Sequence, residues 1–387
     1  MNLTIARGEL WRGIDTVLDA VPSKPALPIL SNLLLVADDR GLSLAATDLD
    51  MSIRTRVDAD VHEAGSITVP ARTLAEITRE WPEAELAVQV TDHTLKLSGA
   101  LGDGDTGEGS YQLPGMPPDD FPAIPPELSG LKVDLAAVEG LDTSQIAQMV
   151  QRTAFAVSRD DTRPVLNGAL WRVQADGLLM VATDGHRFAH FRRAMDLTDQ
   201  VQGEGSEAIV PPPALSQIAK LLGGAGDVLS LTLGDSQLLF DVGHTQLLSR
   251  LIEGPYVDYK QVIPGNNDKP LRVPTGQILS AVRRVSILSS TYTHQIKLSL
   301  KSGTVELSAN SPEIGGDARE MIPVDYTDEE MEIAYNAQYL MEILRRMDTE
   351  QVDFMLSNEV TAAVLRPAAA DDGQEYFCLL MPLRSTG

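Results

Sequence analysis

A chain of 387 residues with 43% hydrophobic and 22% charged residues has ordinary globular composition, and its length predicts two to four domains of roughly 100 to 200 residues each. The formal charge of −24 excludes a protein that coats nucleic acid with its whole surface, because such binding needs Lys and Arg to replace condensed counterions. No apolar stretch approaches the roughly 20 residues that span a bilayer, residues 1–10 lack the features of a secretory signal, and Cys378 is the single cysteine, so we expect a cytoplasmic protein without disulfides.

Amphipathic helices are predicted at the start of three successive segments. Their apolar residues at helical spacing are Leu10, Ile14 and Val17 in the first, Leu141, Ile146 and Met149 in the second, and Ile278, Val282 and Val285 in the third. Each segment also carries a second helix, whose start is marked by Pro70, by Pro211 and Pro212, and by Asn336. Alternating segments between the helices predict half-buried strands at residues 51–57, 229–233, 297–301 and 305–309. The predicted fold class is α+β, built three times over.

An internal repeat supports this plan. Residues 28–56 align without gaps on residues 164–192 at an offset of 136, and nine of the 29 positions are identical where background composition would give about two. A weaker third copy begins near Leu271 and needs a gap. Linkers rich in proline or glycine fall at residues 117–130 and 264–270, so the predicted domains are residues 1–128, 129–268 and 269–387.

Charge is distributed unevenly between the predicted helices and the rest of the chain. The helices, taken as residues 7–19, 71–80, 136–156, 211–222, 275–290 and 337–347, carry ten basic and eight acidic residues. If they face a common surface, that surface repels phosphate less than the sheets and loops do. The alternative is that Arg and Lys are simply good helix formers on solvated faces.

The most distinctive string is Ala-Thr-Asp-Gly-His-Arg-Phe at residues 182–188. Asp184 and His186 suggest an acid and base pair, but no nucleophile or third partner follows at useful spacing. The alternative is a strand that ends in an Asp-Gly turn. Because the first copy of the repeat carries Leu49 and Asp50 in place of the glycine and histidine, we expect the second copy to have a role beyond the fold.

Other signatures of chemistry are missing from the sequence. The histidines show no metal-ligand spacing compatible with the predicted strands, and no phosphate-binding loop occurs, so no metal, cofactor or catalytic residue is expected. Cys378 lies in an apolar run and is expected to be a buried, inert thiol. The chain ends with the exposed-looking apolar run Leu-Leu-Met-Pro-Leu-Arg at residues 379–384, after a last strand.

Taken together, these motifs resemble the bacterial DNA polymerase III beta subunit family, the sliding clamps, from end to end. The resemblance is carried by the three-fold repeat and by the strings at residues 27–30, 68–72, 182–188 and 381–384. It implies three similar clamp domains per chain, each with two helices inside and antiparallel sheets outside, and a six-domain ring formed by a head-to-tail homodimer around duplex DNA. The implied function is a non-catalytic processivity subunit of the replicative polymerase.

The resemblance also implies a peptide-binding pocket between the second and third domains. By matching positions the pocket comprises Leu166, Thr183, Gly185, His186, Arg187, Phe188, Val257, Val262, Leu379, Leu380, Met381, Pro382, Leu383 and Arg384. Apolar walls with a few polar anchors suit a linear motif that carries Leu or Phe. Phe188 stands where relatives commonly carry Leu, which predicts a shallower pocket, and residues 385–387 extend the tail and are expected to cover part of it.

Partners and further sites follow from the same resemblance. The implied partners are the polymerase alpha subunit, the clamp loader, translesion polymerases and mismatch repair proteins, all through linear motifs. The implied DNA contacts are Lys24, Arg72, Arg159 and Arg163, and the implied dimer interface brings Tyr111 and Leu113 to Ile287 and Leu288.

Two other classes of function compete with this interpretation. The first is an enzyme that acts on DNA, against which the missing carboxylate cluster and phosphate loop count. The second is a repeat-built adaptor that binds peptides without encircling DNA, since ring closure depends on a partner surface.

Overall fold

The computed structural model of the protein describes residues 1–102, 107–223, 229–311, 313, 315–369 and 373–384, so the predicted effect of residues 385–387 lies outside the described residues. Six α-helices occur within these ranges: α1 Arg7–Leu18, α2 Ala71–Glu80, α3 Thr143–Thr153, α4 Pro212–Leu222, α5 Thr275–Val285 and α6 Ala337–Leu344. The strands are, in chain order, β1 Asn2–Ala6, β2 Asn32–Asp38, β3 Gly41–Thr47, β4 Met51–Val57, β5 Asp60–Glu63, β6 Gly65–Pro70, β7 Glu85–Thr91, β8 Thr94–Ala100, β9 Glu108–Pro114, β10 Leu131–Asp134, β11 Ala169–Gln174, β12 Gly177–Thr183, β13 Arg187–Ala194, β14 Ser206–Val210, β15 Leu229–Leu233, β16 Gln237–Val242, β17 Thr245–Arg250, β18 Lys269–Pro274, β19 Gln295–Lys301, β20 Thr304–Ser311, β21 Gly316–Pro323, β22 Met331–Asn336, β23 Gln351–Leu356, β24 Ala363–Pro367 and β25 Gln374–Leu380. In this part of the chain no helix is long and apolar enough to cross a membrane.

The chain divides into two compact units, residues 1–147 with 213–251 and residues 148–212 with 252–387. The first unit holds an eight-stranded sheet in the order β10-β15-β16-β17-β4-β3-β2-β6 and a five-stranded sheet in the order β5-β1-β7-β8-β9. The second unit holds an eight-stranded sheet in the order β14-β11-β12-β13-β25-β24-β23-β18 and a four-stranded sheet in the order β21-β20-β19-β22. Antiparallel sheets with few helices confirm the predicted α+β class.

The internal repeat is visible in the backbone at the predicted offset. β3 spans residues 41–47 and β12 spans 177–183, while α1 and α3 begin at residues 7 and 143, so each pair is displaced by 136. Apolar residues of α1 at helical spacing, Leu10, Ile14 and Val17, are buried as predicted. The Asn336 side chain caps α6 by accepting hydrogen bonds from the backbone amides of Gln338 and Tyr339, which confirms that helix start.

One predicted helix is shorter than expected. The sequence predicts a helix over residues 136–156, whereas α3 covers Thr143–Thr153 and Leu141 precedes it. The start is fixed by a reciprocal pair of hydrogen bonds, in which the Gln145 amide donates to the Asp142 carboxylate at 3.1 Å and the Asp142 amide donates to the Gln145 side chain at 3.2 Å. This Asp-x-x-Gln arrangement satisfies amides that would otherwise lack partners at a helix start.

Repeated glycines hold the turns that begin β3 and β12. Gly41 and Gly177 both have positive φ angles, 114° and 143°, and both face a backbone carbonyl of the neighbouring strand. A Cβ atom would lie 2.6 Å from the Val57 oxygen at the first position and 2.1 Å from the Arg193 oxygen at the second. Only glycine avoids both the left-handed strain and the collision.

Replacing Gly177 with alanine is therefore expected to lower the free energy of unfolding by about 3 kcal/mol or more, since strain and overpacking add. The matched control is Gly203→Ala, because Gly203 has φ 71° but nothing within 4 Å of its added Cβ. That control is expected to cost about 1 kcal/mol. Urea denaturation followed by circular dichroism measures both, and equal losses would refute the collision with the Arg193 carbonyl.

Candidate functional site

The string at residues 182–188 forms the end of β12, a tight turn and the start of β13. The Thr183 hydroxyl donates to the Arg187 carbonyl at 2.7 Å and accepts from the Gly185 amide at 3.1 Å. The Asp184 carboxylate accepts from the His186 and Arg187 amides at 2.8 and 2.9 Å. The strand and turn interpretation is thus confirmed, and the Asp184 carboxylate stabilises the turn by binding two of its backbone amides.

The first copy of the repeat builds the same turn with different residues. The Thr47 hydroxyl accepts from the Leu49 amide at 3.0 Å, and the Asp48 carboxylate accepts from the Asp50 and Met51 amides. Leu49 adopts φ 81° where Gly185 adopts φ 90°, so the first copy holds a strained leucine in the place of the glycine. The fold accounts for the Thr-Asp pair in both copies, and the second copy differs by its glycine, His186 and Arg187.

Arg187 is held in a nearly buried position by charge and by aromatic rings. Its guanidinium donates to Asp184 at 3.1 Å and to the Glu342 carboxylate of α6. It also lies over the rings of Phe155 and Tyr339, with its central carbon 5.3 and 4.5 Å from the ring centroids. These contacts fix the turn against α6 and leave the neighbouring His186 exposed.

The turn meets the C-terminal run of the chain. The Met381 amide donates to the His186 carbonyl at 2.9 Å, and the Leu383 amide donates to the Ala334 carbonyl at 2.7 Å. Two strings that lie far apart in the sequence are therefore brought together within the second unit. Pro382 and Leu383 are half-buried there, while Met381 and Arg384 are exposed.

The prediction that the C-terminal apolar run is exposed is wrong for Leu379 and Leu380. Both are buried, because β25 pairs with β13 along its whole length and places Leu379 opposite Phe188 and Leu380 opposite Arg187. The exposed apolar residue of this run is Met381, with 44% of its surface accessible.

The rings of Phe188, His190, Tyr259 and Phe377 pack together next to the turn and form an aromatic layer. Phe188 is only 2% exposed and packs in one buried cluster with Leu379 and Tyr259. Its ring centroid lies 5.8 Å from that of Tyr259 and 6.0 Å from that of Phe377, and the His190 ring stacks on Phe377 at 4.6 Å. Burial lowers the pKa of His190 below its usual value of 6.5, although the nearby Glu375 opposes the shift.

The candidate pocket residues differ in how far they are buried. Leu166, Thr183, Phe188, Leu379 and Leu380 are buried. Val257 and Val262 are exposed on either side of the buried Tyr259 in the sequence, and Met381 is exposed just after β25.

Sequence reasoning missed several residues that shape this site, namely Tyr259, Phe377, His190, Tyr339 and Glu342. One signal was available, because His190 follows Phe188 by two positions in a predicted strand and must share its face. The opposite strand and α6 are remote in the sequence, and no local pattern indicates that they contact β13.

The candidate DNA contacts occupy different settings. Lys24, Arg72 and Arg159 are exposed, and Arg72 lies in the first turn of α2. Arg163 is already engaged, since its guanidinium donates to Asp160 at 3.2 Å and to the Asp184 carbonyl at 3.1 Å.

Most cations on the helices pair with carboxylates. The ion pairs are Arg7 with Glu83, Arg12 with Glu9, Arg79 with Glu80, Arg152 with Asp348, Lys220 with Asp19 and Arg284 with Glu320. Within the observed bounds of α1 to α6, Arg72 and Arg283 are the cations outside such pairs, while Arg345 and Arg346 follow α6.

The candidate interface residues lie near end strands of the two smaller sheets. Tyr111 on β9 is 45% exposed and packs edge to face on Trp81, whereas Leu113 is buried in its own unit. Ile287 follows α5 and is 70% exposed, and Leu288 packs towards Gly316 at the start of β21.

Cys378 is a buried thiol, as predicted. Burial raises its pKa to about 12, so the thiolate that a nucleophile requires is strongly disfavoured at neutral pH. Among the residues that the structure describes, no group of three or more His, Cys, Asp or Glu side chains is arranged to hold a metal ion.

Family models match the chain in three consecutive segments. They describe the N-terminal, central and C-terminal domains of the DNA polymerase III beta subunit and match residues 1–125, 140–258 and 260–384. The matches occur in the order of the internal repeat and cover nearly all of the sequence.

Individual proteins are similar over the same length. The beta sliding clamp of Pseudomonas putida is 32% identical over 386 residues, which cover 99% of this chain and all of that protein, and that of Escherichia coli K12 is 31% identical with the same coverage. The solved sliding clamp of Pseudomonas aeruginosa bound to griselimycin superposes with a TM-score of 0.90, and Caulobacter crescentus pol III beta with 0.85. Both structures are 31% identical to this chain, with full coverage of both chains.

Proposed function

Because the chain belongs to the DNA polymerase III beta subunit family, the beta sliding clamps, we propose that it encircles duplex DNA and confers processivity on the replicative polymerase. The observation that carries this proposal is the match of three clamp domains in order over the full chain. The protein acts as a tether in the cytoplasm and performs no catalysis. A repeat-built adaptor that never encircles DNA does not require this combination of three clamp domains and end strands.

The ring needs an interface between two copies. β9 ends the five-stranded sheet and β21 ends the four-stranded sheet, so each offers backbone donors and acceptors for antiparallel pairing with another copy. Exposed apolar side chains lie beside these strands, Tyr111 on β9 and Ile287 and Met321 next to or on β21. Head-to-tail pairing of β9 with β21 closes two chains into a ring of six clamp domains.

Truncating Ile287 and Leu288 together to alanine is expected to shift the wild-type dimer strongly towards monomer. Burial of such side chains contributes about 1.5 to 3 kcal/mol each. Light scattering coupled to gel filtration at micromolar concentration measures the mass. Val360→Ala is the matched control, because Val360 is 72% exposed and lies away from both end strands in sequence.

Ile287→Ala alone is a second variant that spares the fold, since that side chain is largely exposed, whereas Leu288 packs towards Gly316. A wild-type protein that is monomeric at micromolar concentration would contradict the interface.

Partner proteins bind, in this proposal, at the surface of Met381, Val257 and Val262 above the aromatic layer. The polymerase alpha subunit, clamp loader, translesion polymerases and mismatch repair proteins each present a short motif with an apolar anchor. His186 and Arg384 are the exposed polar groups beside the apolar surface. Phe188 supports the surface from below, and its ring fills space that a leucine would leave open, which favours a shallow anchor.

Met381→Ala is expected to weaken binding of a fluorescein-labelled linear-motif peptide from the replicative polymerase by about tenfold or more, because Met381 loses its contact with the apolar anchor. Fluorescence anisotropy on the full-length protein gives the affinity. The same peptide should bind Val360→Ala as it binds the wild type. Unchanged affinity in Met381→Ala would argue against the pocket.

The ring holds DNA by topology rather than by affinity. With a net charge of −24 and most helix cations already paired, direct phosphate contacts are few; the exposed Lys24, Arg72 and Arg159 supply them, and Arg163 contributes less because it also binds Asp160. Weak contacts allow the ring to slide along the duplex.

A protein loaded on a nicked circle by its clamp loader and ATP is therefore expected to survive a wash from 50 to 200 mM salt. An open binder with six to ten phosphate contacts would lose about 10³ to 10⁵ in affinity over that range. Cutting the circle should release the protein through the free ends. Gel filtration of labelled protein with circular and cut DNA measures retention, and equal retention on both forms with steep salt sensitivity would refute the ring.

A further inference from the structure

The first unit contains a groove that corresponds, by the internal repeat, to the candidate peptide site of the second unit. The groove has a volume of about 930 Å³ and lies between the eight-stranded sheet and the segment 121–128. In the second unit the segment 256–263 packs on the sheet in the same way, with Tyr259 against Leu170 and Phe188. In the first unit Phe121 packs against Leu30 and Leu34, and Leu34 is the repeat counterpart of Leu170.

The two units differ in what fills the space between segment and sheet. In the second unit the His190 ring stacks on Phe377, its partner on β25. At the same positions the first unit has Arg54, the counterpart of His190 at the offset of 136, and Gln246, its partner on β17. The aromatic layer is replaced by a hydrogen bond from Arg54 to Gln246, and the groove stays open.

The groove is rich in cations for a chain of net charge −24. Arg40, Arg54, Arg56 and Lys132 line it, against the carboxylates of Asp38, Glu127 and Asp241. Arg40 and Arg56 share one carboxylate, because their guanidinium nitrogens lie 3.7 and 3.6 Å from the same oxygen of Asp38.

The Arg54 guanidinium is only partly compensated. It donates to the uncharged Gln246 side chain, whose own amide is engaged by Asp241 at 2.7 Å and by the Pro126 carbonyl at 3.2 Å. Burial, and then the charge of Arg56, lower the pKa of Arg54, while Asp241 raises it. An added carboxylate beside Arg54 and Arg56 would relieve this repulsion in a partly desolvated position.

The groove lies on the face of the eight-stranded sheet that is opposite α1. The added Cβ of Gly13 on α1 would contact Leu44 and Val57, so those side chains face the helix. Alternation along β4 then places Arg54 and Arg56 on the opposite face. The wall formed by Phe121, Ile124 and Leu34 is apolar, which suits a side chain better than a phosphate backbone.

We propose that this groove binds an extended acidic peptide segment of a partner protein, with carboxylates at Arg54 and Arg56 and an apolar side chain against Phe121 and Ile124. The proposal goes beyond the function proposed above and does not depend on ring closure. A clamp chain would then carry a second peptide site with the opposite chemistry from the apolar surface at Met381.

The test uses the full-length protein and a fluorescein-labelled peptide of alternating leucine and glutamate, with an alternating leucine and glutamine peptide as the neutral probe. Anisotropy is expected to show binding of the acidic probe at least about tenfold tighter than of the neutral one, since charge-assisted hydrogen bonds are the stronger class. Arg54→Gln combined with Arg56→Gln should remove that preference. Arg192→Gln is the matched control, because Arg192 is the repeat counterpart of Arg56 and pairs with Asp176 in the other unit.

Lys132→Gln is a third variant that guards against misfolding, since Lys132 is exposed, and it should weaken the acidic probe several-fold. Equal binding of both peptides would overturn the proposal, as would loss of binding in Met381→Ala rather than in the arginine variants. Tighter, Arg54-dependent binding of a labelled single-stranded oligonucleotide would also overturn it and assign the groove to nucleic acid.

Discussion

The structure depends on strand pairing between neighbouring repeats. β4 of the first repeat pairs with β17 of the second, and β13 of the second pairs with β25 of the third, so each large sheet is built from two repeats. Each repeat alone would leave a long strand edge with unpaired backbone groups. The antiparallel register at these two joints also decides which side chains face each other across the repeat boundary. The candidate peptide site and the proposed groove both lie at these joints.

The two joints use the same geometry for different chemistry. The turn that follows β3 and the turn that follows β12 have the same Thr and Asp hydrogen bonds, and the strands after them begin at corresponding residues. Past the turn, Met51 and Ser52 stand where the second copy has Arg187 and Phe188. The second copy becomes a sealed aromatic support with an ordered arginine, while the first keeps an open polar space. The two copies share their backbone, and different residues at a few inward positions account for the different chemistry of the two joints.

Much of the fold could be predicted from local sequence. Helix starts at Pro70 and Asn336, the strands at residues 51–57 and 229–233, and the offset of 136 all depend on neighbours along the chain, where periodicity and capping act. The start of α3 at Asp142 was also encoded locally, by its Asp-x-x-Gln pattern, and was missed because apolar spacing extended across it. The buried state of Leu379 and Leu380 was not predictable in that way, since it requires the pairing of β25 with a strand nearly half the chain away. Arg187 and Glu342 meet for the same reason, through tertiary packing of α6 against the turn.

The end strands β9 and β21 have a consequence for the protein in solution. An open strand edge attracts any other edge, and excess charge is a common protection against indiscriminate addition. Two copies that each carry −24 repel one another beyond contact distance, and this repulsion reaches about 8 Å at physiological ionic strength. Dissolved salt shortens that reach and so favours the association of copies, while it weakens every attraction to an anion. Higher ionic strength thus strengthens self-association of the protein and weakens its direct binding to a polyanion.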